Sequence, residues 1–166
     1  MSARNALGII ELASIHKGFE VQDAILKTAN VEKIIARTIC SGKYFIAIRG
    51  SVADVEATIS VATETAGFSL INTTVIPNLD PKVFPAIAGN TMFDMGTTNG
   101  KVGALLILET FSVVSAIHAA DLAVKEAELD LTLKICTRPG WHISKYLMGI
   151  IEKRWPSRTE KYTHHK

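Results

Sequence analysis

The two cysteines, Cys40 and Cys136, are the side chains of this sequence best suited to bind a metal ion or a metal cluster. Cys40 stands directly before the segment Ser41-Gly42-Lys43, and no Cys-x-x-Cys pair accompanies it. A lone cysteine is usually a small packing residue, and one chain offers Cys40 no neighbouring thiolate. The sequence also holds no glycine-rich phosphate loop, no His-x-x-x-His pair and no nucleophile beside a placed base. We therefore expect that the protein is not an enzyme.

The composition is that of a folded protein without a strongly charged surface. Of the 166 residues, 48% are apolar and 20% are charged, and the net charge is +2. Lys and Arg are dense only in the tail 153–166, so nucleic-acid binding is not expected. The most apolar window, 102–124, carries Glu109, His118 and Asp121, which would be costly in a bilayer, so a buried strand and helix are favoured over a membrane span. Two cysteines without a secretory signal favour the cytoplasm.

The chain carries one motif twice, with a constant offset of 98 residues. In each copy an apolar run ends in glutamate, a serine follows, and an Asp-x-x-x-Lys-x-Ala motif comes next. The matching positions are Glu11 and Glu109, Ser14 and Ser112, Asp23 and Asp121, Lys27 and Lys125, and Ala29 and Ala127. A repeat in fixed register indicates two copies of one small domain. Because a tandem duplication often replaces a symmetric dimer, the repeat also points to an oligomer.

The first copy alternates predicted strands and helices in the order β-α-β-β-α-β. Short apolar runs bounded by polar residues predict strands, and apolar residues at helical spacing predict helices that begin after Ser14 and Ser51. The predicted strands cover residues 6–12, 31–39, 44–48 and 70–76, and Cys40-Ser41-Gly42-Lys43 is a predicted turn. This order is the split βαβ, or ferredoxin-like, pattern of an α+β fold.

The second copy matches the first only in its opening part. A strand at 104–108, a helix at 112–127 and a strand at 129–135 correspond, and Gly140 is the counterpart of Gly42. Beyond Gly140 the correspondence fails. Either the reading frame shifts near 138–141 or the gene is truncated. The alternative is a genuine, divergent C-terminal helix at 143–155. We expect a first domain at 4–88, a linker at 89–101, an incomplete second domain at 102–142 and a divergent tail at 143–166.

Several of these motifs together resemble the shell proteins of bacterial microcompartments. They are the run ALGIIE at 6–11, DAILKTANV at 23–31, the turn Ser41-Gly42-Lys43 and RGSV at 49–52. The resemblance covers the first copy to about Pro77 and the second from Val102 to about Gly140. Two copies in one chain resemble the tandem-domain subclass, and the segments 10–18, 27–31 and 38–43 look closest to the type found in propanediol-utilisation compartments.

The resemblance implies a homotrimer that imitates a hexagon, with two tandem ferredoxin-like microcompartment domains in each chain. Such tiles pack edge to edge with other shell proteins around encapsulated enzymes, inside the cytoplasm. The central pore would be lined by Ser41, Gly42, Lys43 and, by the repeat, Gly140. The tile edge would carry Lys27 and Lys125. The segment 77–81 departs from the basic or histidine-bearing segment of many relatives, which puts the edge contacts made there in doubt.

The resemblance also implies a cofactor at Cys40. In similar proteins a cysteine at this position, before the pore turn, binds an iron–sulfur cluster on the threefold axis. Three chains would supply three thiolates, whereas a [4Fe–4S] cluster normally takes four, so one iron would stay open to water or a small ligand. Cys136 lies two residues before the counterpart of Cys40 and is interpreted as a core residue at a strand end.

Two other functions fit the same fold. One is a ferredoxin-like trimeric regulator that binds a small effector between subunits and forms no lateral contacts. The other is a soluble electron carrier, which needs the cluster but not the edge lysines. The sequence identifies neither the encapsulated pathway nor a solute that crosses the pore.

Overall fold

The computed structural model describes residues 5–39, 42–88, 104–127, 129–135 and 146–152. The elements of the first domain are β1 (Ala6–Leu12), α1 (Ile15–Thr28), β2 (Glu32–Ile39), β3 (Lys43–Gly50), α2 (Val52–Ala66), β4 (Leu70–Ile76) and α3 (Val83–Ala88). Those of the second are β5 (Ala104–Thr110), α4 (Val113–Glu126), β6 (Leu129–Ile135) and β7 (Tyr146–Glu152). The β-α-β-β-α-β order predicted for the first copy is therefore confirmed.

The first sheet has the strand order β2-β3-β1-β4, and every neighbouring pair is antiparallel. This is the arrangement of a split βαβ fold, in which the first and third strands form the centre. All seven residues of β1 are buried, which explains why its sequence is a continuous apolar run rather than an alternating one. The exception in that run is Glu11, whose charge is buried as well.

Serine residues begin both helices of the first domain, as the sequence predicts. The Ser14 hydroxyl accepts a hydrogen bond from the backbone N–H of Lys17, and the Ser51 hydroxyl accepts one from that of Asp54. Each bond satisfies a backbone donor that has no partner within its own helix. Helix α2 ends at Gly67, which has a positive φ of 51°.

Helices cover both faces of the first sheet. On one face, Ile10 and Ile46 pack with residues of α1 and α2, among them Val21 and Ala62. On the other face, residues of β1 and β3 pack with α3 and with α4 of the second domain. The residues buried in that second cluster include Leu7, Ile9, Phe45, Ala47, Val83, Ile87, Val113, Ile117 and Ala120. The two domains therefore share a continuous hydrophobic core.

The second sheet has the strand order β5-β7-β6, with both pairs antiparallel. Strand β7 lies between β5 and β6, as β3 lies between β1 and β2. It starts five residues later than the 98-residue offset from β3 would place it. The alternative of a C-terminal helix is wrong over Tyr146–Glu152, because these residues pair with strands on both sides.

The strand β7 falls inside the segment 143–166 that was expected to be a divergent tail, so the second sheet continues past residue 142. The linker at 89–101 lies outside the described residues. The shifted or truncated reading frame and the domain boundaries stay predictions. Within the described ranges, no helix has the length and apolar composition that crossing a membrane requires.

Candidate pore turn and domain interface

The turn between β2 and β3 is the segment that the sequence assigns to the pore. Gly42 has φ +73°, and a Cβ built on it would meet no heavy atom within 4 Å. The positive φ is readily adopted by glycine and rarely by other residues, so the local backbone accounts for this residue type. The open space beside Gly42 agrees with a turn that faces solvent or a channel. Cys40, Ser41 and Gly140 lie outside the described residues.

Lys43 leaves this turn and binds a buried carboxylate. Its Nζ lies 2.9 Å from Oε1 of Glu11, whose side chain is fully buried, while Lys43 is 20% exposed. A buried carboxylate needs a cation or several hydrogen-bond donors, because desolvation otherwise disfavours its charge. Lys43 supplies that cation, so its own positive charge is largely compensated at the base of the turn.

The other oxygen of Glu11 binds the second domain. Oε2 accepts a hydrogen bond of 2.7 Å from the Ser112 hydroxyl and one of 3.1 Å from the backbone N–H of Val113. Val113 is the first residue of α4, where a negative charge is favoured by the helix dipole and by unpaired N–H groups. Asn72 of β4 donates to the same Ser112 hydroxyl at 3.1 Å. Glu11 thus joins the candidate pore turn to the first turn of the second domain.

The interface role of Glu11 is not evident from the sequence pattern alone. The repeat marks a glutamate at the end of each apolar run, with a serine three residues later, but it does not show which serine the glutamate contacts. In the structure the acceptor and the donor belong to different copies and lie 101 positions apart. A charged residue inside an otherwise fully apolar run is the signal that identifies such a buried acceptor.

Lys27 lies near the end of α1 and is highly exposed. Its Nζ forms an ion pair of 2.6 Å with Asp23, one helical turn earlier, and the two side chains are 72% and 66% exposed. An exposed i,i+4 pair of this kind contributes about 0.3–0.5 kcal/mol to the helix. Lys27 therefore contributes little to the stability of the single chain. Its exposed side chain is available for a contact with another protein.

Lys125, the repeat counterpart of Lys27, has a different environment. It forms the same i,i+4 pair with Asp121 at 2.6 Å, but Asp121 is only 3% exposed. The ammonium group also donates to the backbone carbonyl of Asn78 at 2.6 Å, and the other oxygen of Asp121 accepts from the backbone N–H of Asp80. Lys125 and Asp121 therefore belong to the contact between the two domains, on the segment 77–81 of the first domain. The predicted place of Lys125 on a tile edge is untested.

Tyr44 anchors α1 to the strand that follows the turn. Its hydroxyl donates to Oε1 of Gln22 at 2.8 Å, and its ring centroid lies 5.1 Å from that of Phe19. The side chain is almost fully buried, and this burial raises the pKa of the Tyr44 hydroxyl above its ordinary value. On the exposed side of the same helix, the hydrogen bond from Lys17 lowers the pKa of Glu20.

The described part of the chain contains no group of three or more His, Cys, Asp or Glu side chains able to hold a metal ion. Cys40 and Cys136 are not among these described residues. The chemistry of a thiolate at Cys40 suits iron. The donor set of one chain is nevertheless incomplete, so a cluster there would need thiolates from other chains.

Comparison with known proteins agrees with this architecture. The family model of the BMC domain matches residues 6–79, which comprise the first sheet and its two long helices. The chain is 43% identical over 126 residues to the bacterial microcompartment shell protein PduT of Citrobacter freundii, covering 76% of this chain and 65% of that protein. A crystal structure of a microcompartment protein from Desulfitobacterium hafniense DCB superimposes with a TM-score of 0.72. It is 34% identical, and the match covers 87% of this chain and 76% of that one.

This chain belongs to the bacterial microcompartment shell protein family. The resemblance found in the sequence motifs is thereby confirmed, as is the α+β fold of the first domain. The match to the Citrobacter freundii shell protein, over 126 residues, is longer than the BMC domain match of residues 6–79 and so continues beyond it. The chain spans 65% of the length of that relative, which is slightly less than two thirds.

Proposed function

We propose that this chain is a structural tile of a bacterial microcompartment shell, built as a ring of three tandem-domain chains. The observation that carries the proposal is the packing of α4 from the second domain across the first sheet, in a chain 43% identical to a shell protein. Each chain would hold two related domains side by side. A ring of three chains would therefore contain six similar domains, as a hexagon requires. The role is structural, so no catalytic residues are assigned.

The opening of this tile would be formed by the turn Ser41-Gly42-Lys43 from three chains, with Gly140 at the corresponding place of the second domain. Gly42 presents backbone rather than a side chain to the space beside it. The charge of Lys43 is offset by the Glu11 carboxylate, 2.9 Å from its Nζ. Lys43 would therefore give the opening only a weak preference for anions. We expect small polar solutes of either charge to pass through it.

Cys40 is the proposed ligand of a [4Fe–4S] cluster shared by the three chains. A residue next to the axis lies close to its two symmetry mates, so three Cys40 thiolates could converge although each chain offers one there. A bound cluster of this type would supply one-electron transfer. The role of each chain would be to supply one of the three thiolates at the turn. Three thiolates would leave one iron of the cluster without a protein ligand.

The edges of the tile are assigned to Lys27 and Lys125. Lys27 is the stronger candidate, because in the described part of the chain its exposed side chain pairs only with Asp23 of its own helix. Lys125 is partly occupied by Asn78 and would contribute at an edge only through its exposed fraction. The lateral partners would be other shell proteins, and the enclosed partners would be the enzymes of the compartment, in the cytoplasm.

Lateral assembly separates this function from the two alternatives. We expect the purified chain to form rings of three by light scattering, and co-production with other shell proteins to incorporate it into sheets or closed shells by electron microscopy. Discrete trimers that never join such sheets would favour the trimeric regulator or the soluble electron carrier. A chain that stays monomeric at all concentrations would overturn the proposal of a tile.

A further inference from the structure

The buried carboxylate at the base of the candidate pore turn is held by two separate sets of contacts. Oε1 of Glu11 lies 2.9 Å from the Nζ of Lys43. Oε2 accepts from the Ser112 hydroxyl at 2.7 Å and from the backbone N–H of Val113 at 3.1 Å. Lys43 is 20% exposed on the turn, whereas the Glu11 side chain is fully buried. One oxygen therefore binds the turn and the other binds the second domain.

Asn72 of β4 sets the direction in which the Ser112 hydroxyl donates. Its Nδ2 donates to the Oγ of Ser112 at 3.1 Å, so this oxygen accepts from an amide while its own hydrogen points to Glu11. Asn72 is also the residue that pairs with Glu11 between β1 and β4. Linked hydrogen bonds of this kind strengthen one another in a buried site. The donors to Oε2 are thus held by the fold and do not depend on Lys43.

The start of α4 favours a negative charge at this place. Ser112 makes no side-chain cap within α4, in contrast to Ser14 in α1, and the first turn of α4 has no acidic residue. The Glu11 carboxylate accepts from the N–H of Val113, a backbone donor with no acceptor within the helix. The helix dipole adds a partial positive charge at the same end. A carboxylate from the first domain therefore does the work of a cap and is stabilised as an anion.

We propose that Glu11 is a fixed negative charge beneath the opening and determines which ions the opening prefers. The second domain holds this charge, and Lys43 is the opposite charge that the turn places beside it. With both residues present the opening is nearly neutral. Without Glu11 it prefers small anions, and without Lys43 it prefers small cations. This inference rests on the proposed function, because it assigns the ion preference of the same opening. Glu11 acts through its electric field and not by contact with the solute.

The position of Gly42 allows the charge at the turn to be measured. Gly42 directly precedes Lys43 and is exposed, and a Cβ built on it meets no heavy atom within 4 Å. A cysteine at this position would present its thiol to the open space beside the turn. The φ of +73° makes any side chain there strained. That strain is common to all the variants compared, so it cancels when their rates are expressed as ratios.

The test compares two thiol reagents of opposite charge. Gly42→Cys is made in a chain with Cys40→Ser and Cys136→Ser, and the reduced protein is treated with a methanethiosulfonate that carries either a sulfonate or a trimethylammonium group. In each reaction the thiolate forms a disulfide with the reagent and a sulfinate leaves. The ratio of the anionic to the cationic rate reports the local electrostatic potential, because the thiol and the bond formed are the same. The rates are measured at about 0.01 M salt, where the Debye length is about 30 Å.

The two charges should move this ratio in opposite directions. A unit charge about 10 Å away changes the local concentration of a monovalent ion about twofold in water, so the two reagents diverge about fourfold. Relative to the parent chain, Glu11→Gln should raise the ratio about fourfold and Lys43→Gln should lower it about fourfold. The double variant should return close to the parent ratio. At about 1 M salt the Debye length is about 3 Å, and the differences should disappear.

Two controls separate the effect of charge from that of structure. Ser112→Ala removes a hydrogen bond to the same carboxylate without changing any charge, so the ratio should stay close to that of the parent. Lys33→Gln removes an exposed positive charge far from the turn. Lys33 pairs with Ile48, which lies five residues, or roughly 17 Å, along β3 from Lys43. Its replacement should change the ratio less than Lys43→Gln does.

Either single variant can overturn the inference. An unchanged ratio in Glu11→Gln would show that the carboxylate does not contribute to the charge at the turn. An unchanged ratio in Lys43→Gln would show that Glu11 does not keep its charge without its cation, and this variant remains decisive if Glu11→Gln does not fold.

The outcomes also distinguish this inference from the function on which it rests. If the ratios shift as expected but the chains never join sheets, Glu11 sets the charge of the turn and the shell function fails. If sheets form while the ratios do not shift, the chain is a tile whose ion preference Glu11 does not determine.

Discussion

The carboxylate of Glu11 in the first domain accepts a hydrogen bond of 2.7 Å from the hydroxyl of Ser112 in the second. The same carboxylate holds Lys43 at the candidate pore turn and the N–H of Val113 at the start of α4. One buried charge therefore connects three parts of the protein: the central strand β1, the turn before β3 and the first turn of the second domain.

Glu11→Gln should lower the stability of the chain by about 2–4 kcal/mol. The substitution keeps the size of the side chain but removes the charge that faces Lys43 and the helix N-terminus, and a buried ion pair that loses one partner is costly. Urea unfolding would measure the change. Glu56→Gln is the control, because Glu56 is exposed on α2 and its replacement should change stability by less than about 0.5 kcal/mol. Equal midpoints for the two variants would contradict the role assigned to Glu11.

Lys27→Glu should leave the ring intact and reduce lateral assembly. The side chain is 72% exposed, so its replacement costs no packing, and a glutamate beside Asp23 costs only a few tenths of a kcal/mol as a like-charge i,i+4 pair, by order of magnitude. Light scattering should still report trimers, while electron microscopy should show fewer or smaller sheets. Lys33→Glu, an exposed change of the same charge on β2, serves as the control. Sheets as extensive as those of the wild type would remove Lys27 from the tile edge.

Tyr44 should make the chain less stable in alkali. Burial raises the pKa of its hydroxyl, so the folded state favours the neutral phenol more than the unfolded state does. The stabilising contribution is complete below the unfolded pKa of about 10 and is lost as the pH rises through the higher folded pKa. Tyr44→Phe should remove this part of the pH dependence. At neutral pH it should cost about 1 kcal/mol, because the hydrogen bond to Gln22 is lost.

Thermal unfolding of the two proteins from pH 7 to 11 would measure this difference. The wild type should lose its advantage over Tyr44→Phe as the pH rises above about 10. Curves that remain parallel across the whole range would show that Tyr44 does not titrate differently in the folded and unfolded states. The neutral-pH difference would then reflect the hydrogen bond to Gln22 alone, because phenylalanine keeps the ring.

Local sequence patterns predicted the elements of the first domain well, because each one is encoded by neighbouring residues. The bounds predicted for β1 and β4 agree with the structure, and Ser14 and Ser51 accept the expected hydrogen bonds. Apolar run length, helical spacing and serine caps are all properties of a few consecutive residues. The repeat extended the same prediction to β5, α4 and β6 without further information.

The candidate site was less predictable, because its contacts join residues that are distant in the chain. The hydrogen bond from Lys125 to the Asn78 carbonyl spans 47 positions and depends on how α4 lies against the first domain. Its counterpart Lys27 is in the same local motif but is exposed, so the motif alone does not determine the environment. Strand β7 escaped prediction for another reason: it begins five residues later than the repeat offset implies, and a shift of that size hides the correspondence.

Cys40→Ser should abolish cluster binding without preventing formation of the trimer. Anaerobic reconstitution of the wild type with iron and sulfide should give a brown protein with about one cluster, hence about four irons, per three chains, because three thiolates ligate a four-iron cluster. Visible absorption and iron analysis would measure loading, and light scattering would measure mass. Cys136→Ser is the matched control and should retain the colour, since Cys136 is two residues out of register with the pore turn. Stoichiometric iron binding by Cys40→Ser would show that Cys40 is only a turn residue and that the opening serves as a conduit for small polar solutes.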